Sequence, residues 1–150
     1  MRLKELCVFE WQYDEDGRVP DGGFVLLRPY GGEEGSGYGE GRGSVSGERI
    51  RGSVVWSNHP HRRSDARMLP DVHGLIVTDD EARIVFELHG RTVFNDDRSR
   101  GGQTLVGAFE SDDERYTWLN DVVCIAEGTI LPDPNRIEIH VYAAINELIE

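Results

Sequence analysis

The sequence predicts an all-β fold: a single antiparallel β-barrel, calycin-like, of about eight to ten short strands with at most one short helical turn. Three observations lead there. Short apolar runs recur along the whole chain, separated by Gly, Asp and Pro turn signals. Several runs alternate apolar and polar residues at a period of two, which places one set of side chains on each face of a strand. A helical period is hard to find outside residues 112–120, where a single turn is expected with Asp112 or Asp113 as its N-cap.

The strand candidates follow in order. Residues 3–13 lead to an acidic turn at 14–17, and residues 24–30 lie between Gly22-Gly23 and Gly31-Gly32. Glycine then occupies every second position from Gly35 to Gly43, which strips one strand face for close backbone approach or a barrel bend. Further strands are expected over 48–58, 71–80, 82–94, 103–111, 122–130 and 136–145. The last is the clearest, with Ile137, Ile139 and Val141 on one face and Glu138, His140 and Tyr142 on the other. No stretch reads as a linker, so residues 1–150 form one domain. A chain of this size buries roughly 68–70% of its unfolded surface, enough for a core without disulfides.

Composition excludes several functions. The formal net charge of −12 and the single basic doublet, Arg62-Arg63, argue against a nucleic-acid partner. Cys7 and Cys124 lie in apolar runs without CxxC spacing and read as buried free thiols. No window approaches the roughly 18 apolar residues of a membrane span, and no signal peptide is evident. A soluble, cytoplasmic protein is the expectation. The glycine-rich segment spells neither a P-loop nor a GxGxxG helix start, and no GxSxG elbow is present.

Three constellations remain as candidate chemistry. His59 and His61 share one side of an extended segment, and a third metal ligand would have to be Asp65, Asp71 or His73. Against that, the segment reads as a polar loop after a strand, with Pro60 blocking regular pairing, and neither metal nor another cofactor is expected. Next, the face carrying Asp71, His73, Glu87, His89, His140 and Tyr142 is either solvated or lines an enclosed polar pocket. In the pocket reading His73 or His140 is a general base, Glu87 or Asp71 orients it, and Trp56, Trp118 and Tyr142 shape the cavity. Lastly, Tyr116, Trp118 and Asn120 either grip an organic ligand or plug one barrel end.

The succession from Gly47, Gly52 and Trp56, through Thr78, Asp79, Asp80 and Ala82, Gly90 and Arg91, to Tyr116, Trp118, Leu119 and Asn120 resembles domain-of-unknown-function family 3237, over roughly residues 35–143. The resemblance implies a small barrel, with homo-oligomers open, and implies no activity. Glu81 stands where that family's turn glycine is expected, so a turn without a positive φ is predicted there. The leading expectation is a barrel that binds a small organic molecule, with or without a simple acid–base isomerisation, elimination or cyclisation. A ligand-free structural or oligomer-forming barrel is the alternative.

Overall fold

A computed structural model describes residues 1–131 and 135–149. Eleven strands run in chain order: β1 (Arg2–Tyr13), β2 (Phe24–Leu27), β3 (Gly35–Ser46), β4 (Arg51–Asn58), β5 (His61–Arg62), β6 (Met68–Leu69), β7 (Asp71–Thr78), β8 (Arg83–Phe94), β9 (Gly101–Glu110), β10 (Val123–Leu131) and β11 (Arg136–Ile145). Eight of them, β1, β3, β4, β7, β8, β9, β10 and β11, pair antiparallel with their sequence neighbours, and β11 returns to β1. The barrel is therefore closed, which removes free sheet edges. Its longest strands, β1, β3 and β8, run twelve residues each.

The period-two alternation is realised strand by strand. Phe9 and Trp11 of β1, Ile84, Phe86 and Leu88 of β8, Leu105 and Phe109 of β9, and Ile137, Ile139 and Val141 of β11 all point inward and are buried. Cys7 and Cys124 join this core as free thiols, and burial pushes both up to about 12. Such thiols carry almost no thiolate at neutral pH and are inert nucleophiles.

The glycine strand explains how so many rings fit. The odd positions of β3 face inward, and a Cβ there would strike aromatic side chains. At Gly37 it would lie 2.9 Å from Phe24, and at Gly39 2.9 Å from both Phe24 and Tyr13. At Gly41 it would come 2.5 Å from the Trp56 ring, and at Gly43 2.8 Å from Trp11. One wall of the barrel is bare backbone, and aromatic rings from β1, β2 and β4 lie against it.

The two barrel ends differ. At one end the segment after β4 folds into the small hairpin β5–β6, which pairs with β3 and β8, while β2 adds to β3 beside it. At the other end residues 112–122 cross the opening, carrying a 3-10 turn at Thr117–Asp121. The Asp113 carboxylate accepts the Arg115 backbone N–H at 2.9 Å, one turn ahead of the 3-10 segment rather than as its cap.

The β7–β8 turn corrects the expectation at Glu81. Glu81 adopts φ 69°, the left-handed conformation that the family's glycine would supply without strain. The turn keeps its shape because other bonds hold it. The Glu81 N–H donates to the Thr78 carbonyl at 2.9 Å, and the Ala82 N–H donates to the Thr78 hydroxyl at 2.7 Å. The Thr78 hydroxyl also bonds Asp80.

Candidate functional site

The end crossed by residues 112–122 is saturated with internal bonds. Leu119 is fully buried in the core. The Asn120 side chain accepts the Ser111 N–H at 2.8 Å and donates to the Ser111 carbonyl at 2.9 Å, so both ends of its amide are used. Tyr116 donates its hydroxyl to Asp80 at 2.9 Å, and Arg115 pairs with the same carboxylate at 3.2 Å. Hydrogen bonds from the Thr78 and Tyr116 hydroxyls hold Asp80 below the usual carboxylate range. Trp118 donates its indole N–H to the Arg115 carbonyl, and its ring lies 3.7 Å beneath the Arg49 guanidinium. A depression of about 650 Å³ lies outside this end, but Ser111 and Asn120 on its border already satisfy one another. Tyr116, Trp118 and Asn120 thus form a plug.

The polar strand face lies outside the barrel. His73, with a side chain half exposed, bonds Asp71 Oδ1 at 2.9 Å, and His89 approaches the same oxygen at 3.3 Å. Glu87 sits 3.6 Å from His89, and the rings of Tyr38, His59, His73 and His89 form a row along this outer wall. On another part of the outer wall His140 pairs with Glu138 at 2.7 Å, and Tyr142 donates to Glu127 at 3.2 Å. The enclosed polar pocket is therefore corrected: what the barrel encloses is the apolar face, as the alternation of β7 and β8 requires. His61 faces Glu34, away from the His59 row, and no cluster of three metal-ligating side chains occurs among the described residues.

The enclosed space opens at the hairpin end. A cavity of about 150 Å³ lies there, lined by Trp11, Tyr13, Phe24, Trp56 and Asn58 beside the glycine wall and by Thr92 and Phe94 of β8 and Gln103 of β9. Pro60, Met68 and Pro70 of the hairpin segment cover it. Trp11 and Trp56 stack with ring centroids 5.3 Å apart, and Tyr13 meets Trp56 edge-on at 5.2 Å. A second hollow of about 340 Å³ shares Phe24, Met68 and Phe94 with it and continues outward past Arg62 and Arg67.

Polar groups in this cavity are few and unevenly satisfied. Asn58 Oδ1 accepts the Asp71 N–H at 2.9 Å, and the Trp56 indole N–H donates to the Arg42 carbonyl at 3.2 Å. Gln103 Nε2 donates to the Thr92 hydroxyl at 3.2 Å. Trp11 Nε1 and Gln103 Oε1 have no partner, and they alone among the described residues are buried side-chain polar atoms left so. Among the described residues Tyr13 is the one titratable group in the lining, and burial pushes its phenol up to about 12. No carboxylate, histidine or lysine among the described residues lines the cavity.

Of the residues singled out from sequence, Trp56 alone lies in this lining. Trp11, Tyr13, Phe24, Thr92, Phe94 and Gln103 are lining residues that sequence reasoning did not single out as a site. A signal for Gln103 was present: it shares a strand face with Leu105, Gly107 and Phe109, and a polar residue on an apolar face asks for a reason.

A family model for proteins of unknown function, DUF3237, matches residues 39–144. The chain belongs to this family. The matched span takes in the glycine strand from Gly39 onward, the Thr78–Ala82 turn and the plug. No curated protein matches the chain. Among solved structures, a Clostridium acetobutylicum protein of unknown function superposes with TM-score 0.81 at 18% identity, covering 97% of this chain and 100% of that one. A conserved Rhodopseudomonas palustris protein of unknown function does so with TM-score 0.80 at 16% identity, covering 96% and 97%. An enzyme from Penicillium herquei gives TM-score 0.63 at 21% identity, covering 94% and 93%. These likenesses show a shared barrel fold. In the chain itself, no helix among the described residues is long and apolar enough to cross a membrane.

Proposed function

We propose that this DUF3237 barrel binds a small, neutral organic molecule containing a flat ring in the cavity at its hairpin end. The observation that carries the reading is an enclosed space lined by the rings of Trp11, Tyr13, Phe24, Trp56 and Phe94. A cavity of 150 Å³ suffices for a benzene-sized ring. Rings flank it on several sides, and stacking on such faces adds about 0.5–1.5 kcal/mol beyond area burial. An ion would be disfavoured, because none of the described lining residues carries a compensating charge and an unpaired buried charge is expensive.

Acid–base catalysis finds less support. The groups that could move a proton near neutral pH, His73, His140, Asp71 and Glu87, stand on the outer wall. The barrel itself separates them from the cavity. A binding role is favoured on that ground.

Toluene titrated into a Trp118→Phe variant tests the reading, since only Trp11 and Trp56 then report. Saturable change in tryptophan emission is expected. Gly39→Ala should weaken it at least fivefold, because the new methyl drives Phe24 and Tyr13 into the cavity. Linear, non-saturable quenching, equal in both variants, would refute the proposal.

A further inference from the structure

We infer that the outer wall of β4, β7 and β8 is a self-association surface, on which a second copy of this chain docks about a two-fold axis. The inference starts from period two, which aims every second residue of a strand outward. On three neighbouring strands those outward positions carry Val55, Leu75 and Val85 in one row. Val55 pairs with Leu75 across β4 and β7, and Leu75 pairs with Val85 across β7 and β8. Cross-strand partners stand about 5 Å apart, so the three side chains form one continuous strip. Val55 is 53% exposed and Val85 51%, and Val77, two residues beyond Leu75, is 41% exposed. The outer wall of β10 and β11 is built differently, with Glu127 opposite His140 and Thr129 opposite Glu138. Single exposed valines need no explanation, whereas aliphatic residues in register on three strands make a patch that a partner can cover.

Charge says which partner. A chain of net charge −12 repels its own copies, so a face on which two copies meet must bring a cation of its own. Strand β8 supplies one. Arg83 stands two residues before Val85 and Glu87 two residues after it, and all three side chains are exposed on the same face. The two charged positions are about 13 Å apart along the strand, too far to pair with each other. They are placed symmetrically about Val85.

A two-fold axis lying along the Val55–Leu75–Val85 row turns β8 of one copy antiparallel to β8 of the other, face to face. It sets each of the three aliphatic residues against its own counterpart. The same rotation brings Arg83 against Glu87 of the partner subunit, and does so twice in the dimer. This self-complementary order of cation, aliphatic residue and anion selects a second copy over an unrelated protein. Glu110, opposite Val85 on β9, continues the row, and the curvature of the barrel carries it away from the contact. Curvature also confines the contact to about three strands, short of the roughly 800 Å² per partner of a tight interface. The dimer is therefore weak, held by the aliphatic row and oriented by the two ion pairs.

Sedimentation equilibrium of the full chain, from micromolar to millimolar concentration, tests this. The average mass should rise from that of one chain toward that of two. Leu75→Asp should stay at the mass of one chain throughout. Arg83→Glu and Glu87→Arg should each weaken the dimer about fivefold or more, because like charges then face each other twice. The double variant carrying both Arg83→Glu and Glu87→Arg should return to within about twofold of the wild type. Within one chain the two residues are too far apart to compensate, so rescue reports contact between copies. Circular dichroism of the variants should match the wild type, since every substituted side chain lies on the outer wall. A wild-type mass that stays at one chain, an assembly larger than a dimer, or a double variant no better than the single ones would overturn the inference.

Discussion

The two ends of this barrel use the same kinds of residue to opposite effect. At the plugged end Tyr116, Trp118 and Asn120 put aromatic rings and an amide across the opening, and each polar atom of the plug described above finds a protein partner. At the hairpin end Trp11, Trp56 and Gln103 do likewise, yet one indole N–H and one amide oxygen find none. An amide whose two ends are occupied is a strut. The amide of Gln103 has one bond, to the Thr92 hydroxyl, and the rings beside it border a cavity. Composition cannot separate these cases, because both ends read as aromatics with polar handles.

That contrast predicts different consequences for mutation. The largest effect should fall on the plug: Leu119→Ala removes a fully buried side chain and should destabilise the fold by about 3 kcal/mol, lowering Tm by roughly 6–12 °C. Ring binding by the surviving folded protein should be unchanged. Gly39→Ala should show the reverse pattern, weakened binding with stability altered by less than about 1 kcal/mol, since the displaced rings can move into the cavity. Urea unfolding beside toluene titration of both variants makes the comparison, and parallel losses in both properties would erase the distinction between the ends.

A smaller effect is expected in the turn above the plug. Glu81 holds a left-handed backbone at φ 69°, so Glu81→Gly should stabilise the protein by about 1 kcal/mol, or roughly 2–4 °C in Tm. An unchanged or lowered Tm would mean that the Glu81 side chain contributes something the backbone argument omits.

The smallest effect concerns pH. Hydrogen bonds from the Arg115 side chain and then its backbone N–H hold Asp113 at about 2, and Asp80 is lowered by the Thr78 and Tyr116 hydroxyls. A carboxyl lowered in the folded state contributes stability that is complete above its ordinary value near about 4 and is lost as pH falls toward about 2. Asp113→Asn should flatten that acid limb of the stability profile. Toluene affinity, by contrast, should stay level between about pH 5 and about pH 9, because the Tyr13 phenol titrates near 12. A histidine-like step in affinity would bring the outer His73–Asp71 pair back into the account.

The fold was legible because period two is a local property. Ile84, Phe86 and Leu88 against Arg83, Val85 and Glu87 state which face is dry before any partner strand is known. The every-second-residue glycines announced a stripped face, but the rings that occupy it come from β1, β2 and β4, and nothing local names them. Cavity residues were harder to see for the same reason. Thr92 and Gln103 gain their meaning from cross-strand register, and Trp11 gains its from the stack on Trp56, which only the folded chain shows. The histidines drew attention as chemically capable groups, yet their alternation with Val72, Ile76, Phe86 and Leu88 already assigned them to the opposite face. At Glu81 the inference from residue type to turn type failed because Thr78 and its bonds hold the left-handed conformation without glycine's help.

The three indole N–H groups provide the most direct measurement. Trp56 donates to the Arg42 carbonyl and Trp118 to the Arg115 carbonyl, while Trp11 donates to nothing in the protein. In a ¹⁵N-resolved NMR titration with toluene, the Trp11 and Trp56 indole resonances should shift saturably as a ring enters the cavity they line, and the Trp118 resonance should stay in place. A Trp118 shift with Trp11 unmoved would place the ligand at the end described here as a plug, and stationary resonances for all three would contradict a ligand site in this barrel.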